Sequence, residues 1–450
     1  MTDTDPNIAF YEQRKARVTA ACGNVVGDMH IRKRTTSNLF RYAGRRSPQA
    51  DAISLGDFNH VIALDAQART LEVEGLITYE QVVNFTLAHG FLPTVAPELK
   101  HITVAGATVG IGIESSCFRY GFVHDGLLEA DVLLTDGRIV TCRADNEHAD
   151  LFFGLPNSYG TLGYILRAKI TLVPARPFVR IDNSRYHDIG DYMNAMEQAT
   201  QQPNNDFVEG LFYHNDELYL TAGTMVDEAP ETTDIYRDHI YYKLLHEPTT
   251  FYLSTFDYIF RYDPDWFWNI PEGRFHNLFR RFAPKSLRNS GFYNRYVAIA
   301  NRTKRLLGLP GRQHEEQLIQ DWQLPWEHAV EFARYLLDNV DIQGQPWMAV
   351  PIRTPRTPTN YPIRSDTLYF NVGCYCFAKK PKANVDFYYT RILDRKCFEL
   401  GGIKMLYSST FLDRDEFDRL YNGIGYVALK TKYDPNGRTP NLFEKAVMSG

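Results

Sequence analysis

The chain predicts an α+β fold in two cooperating parts, on three observations. Short alternating apolar and polar runs bounded by Gly, Pro, Asn and Asp recur beside runs of helical period. One stretch, Pro93 to Asp125, concentrates glycine around an almost uncharged middle. From Ala175 onward the texture turns to aromatic and mixed segments, which places a boundary between a first part, 1–174, and a second, 175–422.

Bulk numbers bound the class. With 450 residues, 44% hydrophobic and 23% charged, the chain can bury a sizeable core. A net charge of -5 argues against a nucleic-acid-binding surface, so any basic site must be local. Six cysteines scattered through so long a chain are read as reduced thiols rather than a disulfide scaffold. Cys374 and Cys376 share one face of a strand but lack further metal ligands nearby, so no metal site is expected. The N-terminus has no apolar signal core, and no run of roughly 18 apolar residues occurs. The expectation is a cytoplasmic protein that does not cross a membrane.

Pro6 to about Cys22 reads as a short helix, and His30 to Arg46 as a polar, basic loop. VIALD and TLEVEG are alternating strands, followed by a helix, TYEQVVNFTLAHG, that Gly90 ends. In the next stretch Gly106, Gly110, Gly112 and Gly121 remove side chains where a backbone must come close to something. Thr103, Thr108, Ser115 and Ser116 offer hydroxyls and amides to an anionic group such as a pyrophosphate. The spacing is not that of a dinucleotide fingerprint, because Ser115 stands where a third glycine belongs and no helix-forming run starts there. EADVLLTDGRIVTCRA is a hairpin with an Asp-Gly turn, and the strand ending ADLFFGLPNSYGTLGYILRAKITLVP is closed by Pro174.

In the second part, Phe207 to Thr224 reads as two strands around a turn at Asn215 and Asp216. Alternation puts Val208, Gly210 and Phe212 on one face and Phe207, Glu209, Leu211 and Tyr213 on the other. Glu209 in that company is either exposed at an edge or buried with a raised pKa and available as an acid. Arg274 to Arg288 interleaves phenylalanines with basic residues: a helix packed on its own domain, or an interfacial helix in which Arg280, Arg281 and Lys285 seat the chain on anionic lipid. The remainder alternates helices such as PWEHAVEFARYLLDNV with strands such as DTLYFNVGCYCF.

TVAGATVGIGIESS, the pair Tyr120 and Gly121, and ADLFFGLPNSYGTLGYI resemble the FAD-binding domain of the vanillyl-alcohol oxidase superfamily. TSNLFR, LKHIT, GIESSCFRYG, FVEGLFY, DWFW, KMLYSSTF and KYDPNGR resemble, more narrowly, the sterol side-chain reductases (delta-24-sterol reductase) and bacterial flavoproteins that act on methyl- or methylene-branched fatty acyl chains. The resemblance implies an FAD domain over 1–174, an α+β cap over 175–422, and a C-terminal segment, 423–450, that returns to the flavin. It implies FAD contacts at Ser37, Asn38, Thr103, Val104, Ala105, Gly106, Gly110, Gly112, Ser115, Ser116, Tyr120, Gly121, Gly160, Gly163 and Ile165. The Gly-rich turn that carries flavin-linking histidines elsewhere in the superfamily is missing, so the FAD is expected to be noncovalent.

The implied activity is a change of oxidation state at a carbon–carbon bond of a branched membrane lipid, most simply reduction with NADPH. The same resemblance leaves open desaturation to a diene, an alcohol or sugar-lactone oxidase, and a silent flavoprotein partner of a lipid methyltransferase. Protonating a branched double bond yields a tertiary cation, which requires an acid near the flavin and aromatic walls. Tyr407, matching an active-site tyrosine of related oxidoreductases, and Glu209 are the candidate acids. Phe212, Tyr213, Trp266 and Trp268 are the candidate walls. Such a protein would sit peripherally at the inner face of the membrane, on its phospholipid substrate.

Overall fold

A computed structural model describes residues 6–23, 27–33, 52–236, 240–246, 249–268, 282–306, 314–381 and 385–447. The architecture is α+β: mixed helices on antiparallel sheets. A small parallel pair joins β1 (Ile31–Arg32) and β2 (Ile53–Ser54). The first large sheet runs β3 (Val61–Asp65), β4 (Thr70–Glu74), β8 (Tyr164–Pro174), β6 (Leu127–Leu133) and β7 (Ile139–Arg143), with β5 (Phe91–Pro93) also paired to β8. Apolar residues alternate inward along β8, the hub of that sheet.

Local signals act where the sequence places them. Thr78 and Gln81 form a capping box at the start of the helix Tyr79–Ala88. Gly90, with φ of 79°, carries the chain out of it. The Asp-Gly turn joins β6 to β7, with Gly137 at φ 89° and the Leu134 amide donating to the Arg138 carbonyl at 2.8 Å. The glycine-rich stretch is more ordered than an open loop. Val104–Val109 is helical because the Thr103 hydroxyl accepts from the Gly106 amide at its start, and Cys117–Tyr120 is one further turn.

The second sheet is antiparallel throughout, in the order β12 (Thr249–Ser254), β9 (Phe178–Tyr186), β11 (Glu217–Val226), β10 (Phe207–His214), β14 (Trp347–Ile352), β15 (Tyr369–Lys379), β13 (Glu315–Pro325) and β16 (Ile403–Lys404). Its outer face is covered by the helices Ile189–Gln201, Ala329–Asn339 and Tyr388–Glu399, whose Tyr192, Met196, Phe332, Leu336 and Leu393 bury against Val208, Phe212, Trp322 and Trp347. Its inner face belongs to the core that includes the first sheet, through Phe207, Leu211 and Tyr213. The alternation of β10 therefore sorts its residues between two cores.

The segment after Asn422 packs on the first sheet's loops: the Tyr426 hydroxyl donates to Thr161 Oγ1 at 2.8 Å, and Lys430 Nζ to the Thr161 carbonyl at 2.8 Å. All six cysteines are free and buried. Most of Arg274 to Arg288 lies outside the described residues, Arg280 and Arg281 included. At its described end the basic face expected of a helix is not continuous. After Pro284, which cannot donate a helical hydrogen bond, Lys285–Leu287 is a single tight turn. Arg288 is buried, its Nε donating to the Ala283 carbonyl at 2.9 Å.

Candidate active site

A cavity of about 310 Å³ lies between the helix Val104–Val109 with its following loop and the inner face of the second sheet. That volume is at the lower end of small-molecule sites, about 300–1,000 Å³. The first wall is largely main chain: Thr103, Gly106, Gly110 and Gly112 line it, with Tyr159 alongside. Facing it are Glu209 and Gly210 of β10, Met348 and Val350 of β14, Asp321 of β13, Gly373 and Tyr375 of β15, and Met405 and Tyr407 beyond β16.

The cradle is tight behind the cavity. A methyl on Gly112 would meet Val123 Cγ2 at 2.7 Å and Ala107 Cβ at 3.1 Å, and one on Gly110 would meet the Gly106 carbonyl at 2.8 Å. Only glycine lets the main chain fold back this closely. Val104 and Ala105 are core residues whose amides donate to the carbonyls of Ile77 (3.1 Å) and Gly75 (2.8 Å), fastening the helix beneath the cavity.

Other candidates from the sequence do not reach the cavity. Ser115 Oγ pairs with the Tyr258 hydroxyl at 3.2 Å, and Ser116 Oγ donates to the Thr94 carbonyl at 2.9 Å, so both hydroxyls face the protein. Tyr120 borders a separate small void beside Leu92 and Ile259. Gly121, with φ of 74°, makes a turn against Asp125. Gly160 and Gly163, with φ of 78° and 139°, shape the chain next to Tyr159, and Ile165 is buried in the sheet. Ser37 and Asn38 lie outside the described residues.

Phe212 stacks on Trp347 in the outer core, with ring centroids 6.4 Å apart. Tyr213 packs on His246, away from the cavity. Trp266 is buried between Tyr293 and Tyr375, at ring distances of 5.4 and 5.3 Å, and borders a second cavity of about 270 Å³ that shares Tyr375 with the first. The Trp268 side chain is outside the described residues. Lys285 is exposed, its Nζ 3.9 Å above the Tyr236 ring and 4.0 Å from Asp257.

Both proposed acids line the cavity. Glu209 does so as an occupied acceptor: Tyr241 donates to Oε1 at 2.7 Å, Arg261 Nε to Oε1 at 2.9 Å, Arg261 Nη2 to Oε2, and Tyr262 to Oε2 at 3.4 Å. Both of its oxygens are occupied by donors. The Tyr407 hydroxyl donates to Asp321 Oδ2, and Asn371 to Oδ1 at 2.9 Å. Burial lifts Asp321 to about 6 although both hydrogen bonds pull the other way. Burial first, and then the Asp321 charge, hold the Tyr407 phenol well above its ordinary value.

Charged residues at this site that the sequence reading did not single out include Arg261, Glu114, Glu98, Asp321 and Lys33. Arg261 is fully buried and its Nη2 also donates to Glu114 Oε1 at 2.7 Å, tying the cradle to the cap. Glu98 lines the cavity, and burial with the neighbouring Glu114 charge raises it well above the usual carboxylate range. The available signals were a lone arginine inside an aromatic run, YIFRYDPDWFW, and glutamates beside or within the LKHIT and GIESS motifs.

Lys33 lines the same cavity and, among the described residues, makes no ion pair or hydrogen bond. Burial lowers its pKa. A glycine-lined cradle with the Lys33 ammonium at hand fits a phosphate-bearing cofactor with a flat ring system.

The FAD binding domain family model matches residues 35–143. The delta(24)-sterol reductase of Homo sapiens is 27% identical over 409 residues, covering 86% of this chain and 75% of that protein. That of Arabidopsis thaliana is 23% identical over 444 residues, covering 88% and 76%. Cytokinin dehydrogenase 7 of Oryza sativa subsp. japonica is 34% identical over 163 residues, covering 35% and 30%.

Proposed function

From the premise that this chain is an FAD-dependent oxidoreductase built on a PCMH-type FAD-binding domain, we propose that it reduces a carbon–carbon double bond in a methyl- or methylene-branched acyl chain of a membrane phospholipid. NADPH is the proposed electron source, and the FAD is proposed to be noncovalent. The observation that carries this reading is the cavity's composition. Leu99, Ile102, Ile113, Met348, Val350 and Met405 line the cavity, and the polar groups among them include four carboxyls and the phenols of Tyr159, Tyr375 and Tyr407, beside Lys33, His101 and Lys445. Such a wall suits a hydrocarbon flanked by proton carriers better than a polyol.

Bound FAD supplies hydride transfer. Gly106, Gly110 and Gly112 would take its main-chain contacts and Lys33 its negative charge. The apolar walls exclude water from the reacting carbons, which strengthens every charge interaction inside. Tyr375 and Tyr407 line the cavity, and aromatic rings there would stabilise positive charge developing on a branched carbon. Branching matters because protonation then yields a tertiary rather than a secondary cation. The relatives named delta(24)-sterol reductase support the reductive direction and a lipid substrate.

Approach to the lipid surface is part of the proposal: Phe282 is 73% exposed on the same short stretch as the exposed Lys285. Desaturation of a branched monoene is the second reading. It draws on the Asp321–Tyr407 pair, where a carboxylate lies ready to accept a proton through the phenol.

Anaerobic half-reactions test the proposal. The purified protein is bleached with NADPH, phospholipids bearing branched unsaturated chains are added, and flavin absorbance and lipid mass are followed. Reoxidation with a gain of two hydrogens per lipid is the expected result. Loss of two hydrogens from a monoene by the oxidised protein, with no bleaching by NADPH, would replace it with the second reading. Inertness toward every lipid would remove the substrate assignment.

A further inference from the structure

Four carboxyls line the cavity, Glu98, Glu114, Glu209 and Asp321, and three of them have assigned donors. Glu209 and Glu114 share the Arg261 guanidinium, and the Ser115 amide also donates to Glu114 Oε1 at 2.7 Å. Asp321 accepts from Tyr407 and Asn371. Glu98 alone among them has no hydrogen bond or ion pair among the described residues. Arg261 pairs with two of the four carboxyls, and a buried carboxyl without a paired cation is favoured in its protonated form. The carboxyl without a donor is the one for which the neutral form costs least.

The backbone around Glu98 is fixed. Pro97 and Leu99 are buried, the Lys100 amide donates to Asp263 Oδ1 at 3.3 Å, and the Lys100 carbonyl accepts from the Glu80 amide at 3.2 Å. The Lys100 ammonium turns to the rings of Tyr236 and Phe256, at 5.5 and 5.3 Å, so it does not compensate its neighbour. Glu98 lines the cavity together with Asp321 and Tyr375 of the sheet.

We propose that Glu98 is the catalytic acid: a neutral carboxylic acid, kept at the cavity wall, that delivers the proton to the substrate double bond. The inference rests on the reductase reading. In the step, the π pair of the alkene takes the Glu98 proton and forms one C–H bond. The adjacent, more substituted carbon, left electron-deficient, takes the hydride that originates from reduced nicotinamide. Glu98 is left as a carboxylate and regains a proton from water. Several groups set its affinity for that proton. Burial raises it most, the charges of Glu114, Glu209 and Asp321 raise it further, and Arg261 opposes them. Tyr262 and Tyr375 also face it, each phenol being raised in part by its charge. His101, Lys33 and Lys445 border the same cavity and lower it where they are charged. A carboxylic acid is a far stronger donor than the Tyr407 phenol, which the Asp321 charge holds back.

The test uses the flavin-loaded protein and its Glu98→Gln and Glu98→Asp variants. Bleaching by NADPH and lipid-driven reoxidation are followed separately across pH, with the flavin spectrum and thermal melting as controls for folding. The expected result is a 10²- to 10⁴-fold slower reoxidation in Glu98→Gln. Bleaching should be retained, Glu98→Asp should recover part of the rate, and the wild type's alkaline fall in reoxidation should be absent from Glu98→Gln. A difference infrared spectrum, which needs no lipid, should show a protonated carboxyl band in the wild type that Glu98→Gln lacks. Reoxidation within threefold of wild type in Glu98→Gln, or absence of that band at neutral pH, would overturn the assignment while leaving the reductase reading intact. A wild type that reduces no branched lipid while the infrared band is present would overturn the reading and, with it, the donor role.

Discussion

Replacing Arg261 by methionine should expose how much the cavity depends on one buried charge. The guanidinium is fully buried, joins Glu114 of the cradle to Glu209 of the cap, and lies 4.4 Å from the Tyr258 ring centroid and 4.9 Å from that of Tyr262. Its three contacts to carboxylate oxygens would each be worth about 1.5–3 kcal/mol singly. They are not additive, and removing one partner of a buried pair costs about 3–5 kcal/mol, so roughly 4 kcal/mol is the expected loss. The sign with pH follows. Burial raises the Glu114 carboxyl and Arg261 pulls it down, so without Arg261 Glu114 folds further above its unfolded value. The folded variant then holds protons that the unfolded chain releases, so its deficit is small near pH 5 and grows as pH rises through the folded values. Urea unfolding at about pH 5 and pH 8, for wild type, Arg261→Met and the triple variant Arg261→Met/Glu114→Gln/Glu209→Gln, measures this. The triple variant should regain most of the loss, because no buried charge remains. A deficit under about 1 kcal/mol at the higher pH, or one that does not change with pH, would refute the reasoning.

Asp321→Asn should flatten another part of the stability profile. The folded carboxyl is raised from 3.8 to about 6, so the contribution of its proton is complete below the unfolded value and is lost as pH rises through about 6. A wild-type decline on the order of 3 kcal/mol across that window should be missing from the variant in urea titrations. Lys33→Met should weaken FAD by roughly 10-fold or more, as one charge-assisted hydrogen bond to phosphate is lost, which flavin dissociation by ultrafiltration measures; unchanged retention would place the phosphates elsewhere. Gly110→Ala should lower both the melting temperature and flavin retention, because its methyl would meet the Gly106 carbonyl at 2.8 Å at the cavity wall. Gly163→Ala should also lower the melting temperature, because φ is 139° and its methyl would meet Val132 Cγ1 at 2.6 Å and the Leu133 carbonyl at 2.9 Å.

The sequence by itself determined what short-range chemistry controls. The Asp-Gly hairpin, the helix stopped at Gly90, the α+β class and the glycine-built cradle are each written in a few adjacent residues. So is the alternation of β10, which separates Glu209 from Phe212. Alternation cannot say which face meets the cofactor, however: of the candidate walls Phe212, Tyr213, Trp266 and Trp268, the first two lie off the cavity and Trp266 borders a second one, while Tyr375 and Tyr407 line the first. Ser115 and Ser116 sit among cradle glycines, yet their hydroxyls are taken by Tyr258 and the Thr94 carbonyl, one of them 143 positions away in the chain. Apart from Glu209, the carboxyl cluster was beyond local reading. Glu98, Glu114, Glu209, Arg261 and Asp321 come from five separate segments, and no spacing announces them. Which carboxyl is tied and which is free depends on where a single guanidinium is buried, and only the packing of cap against cradle decides that, because charge pairing in a water-poor space is set by distance rather than by order along the chain.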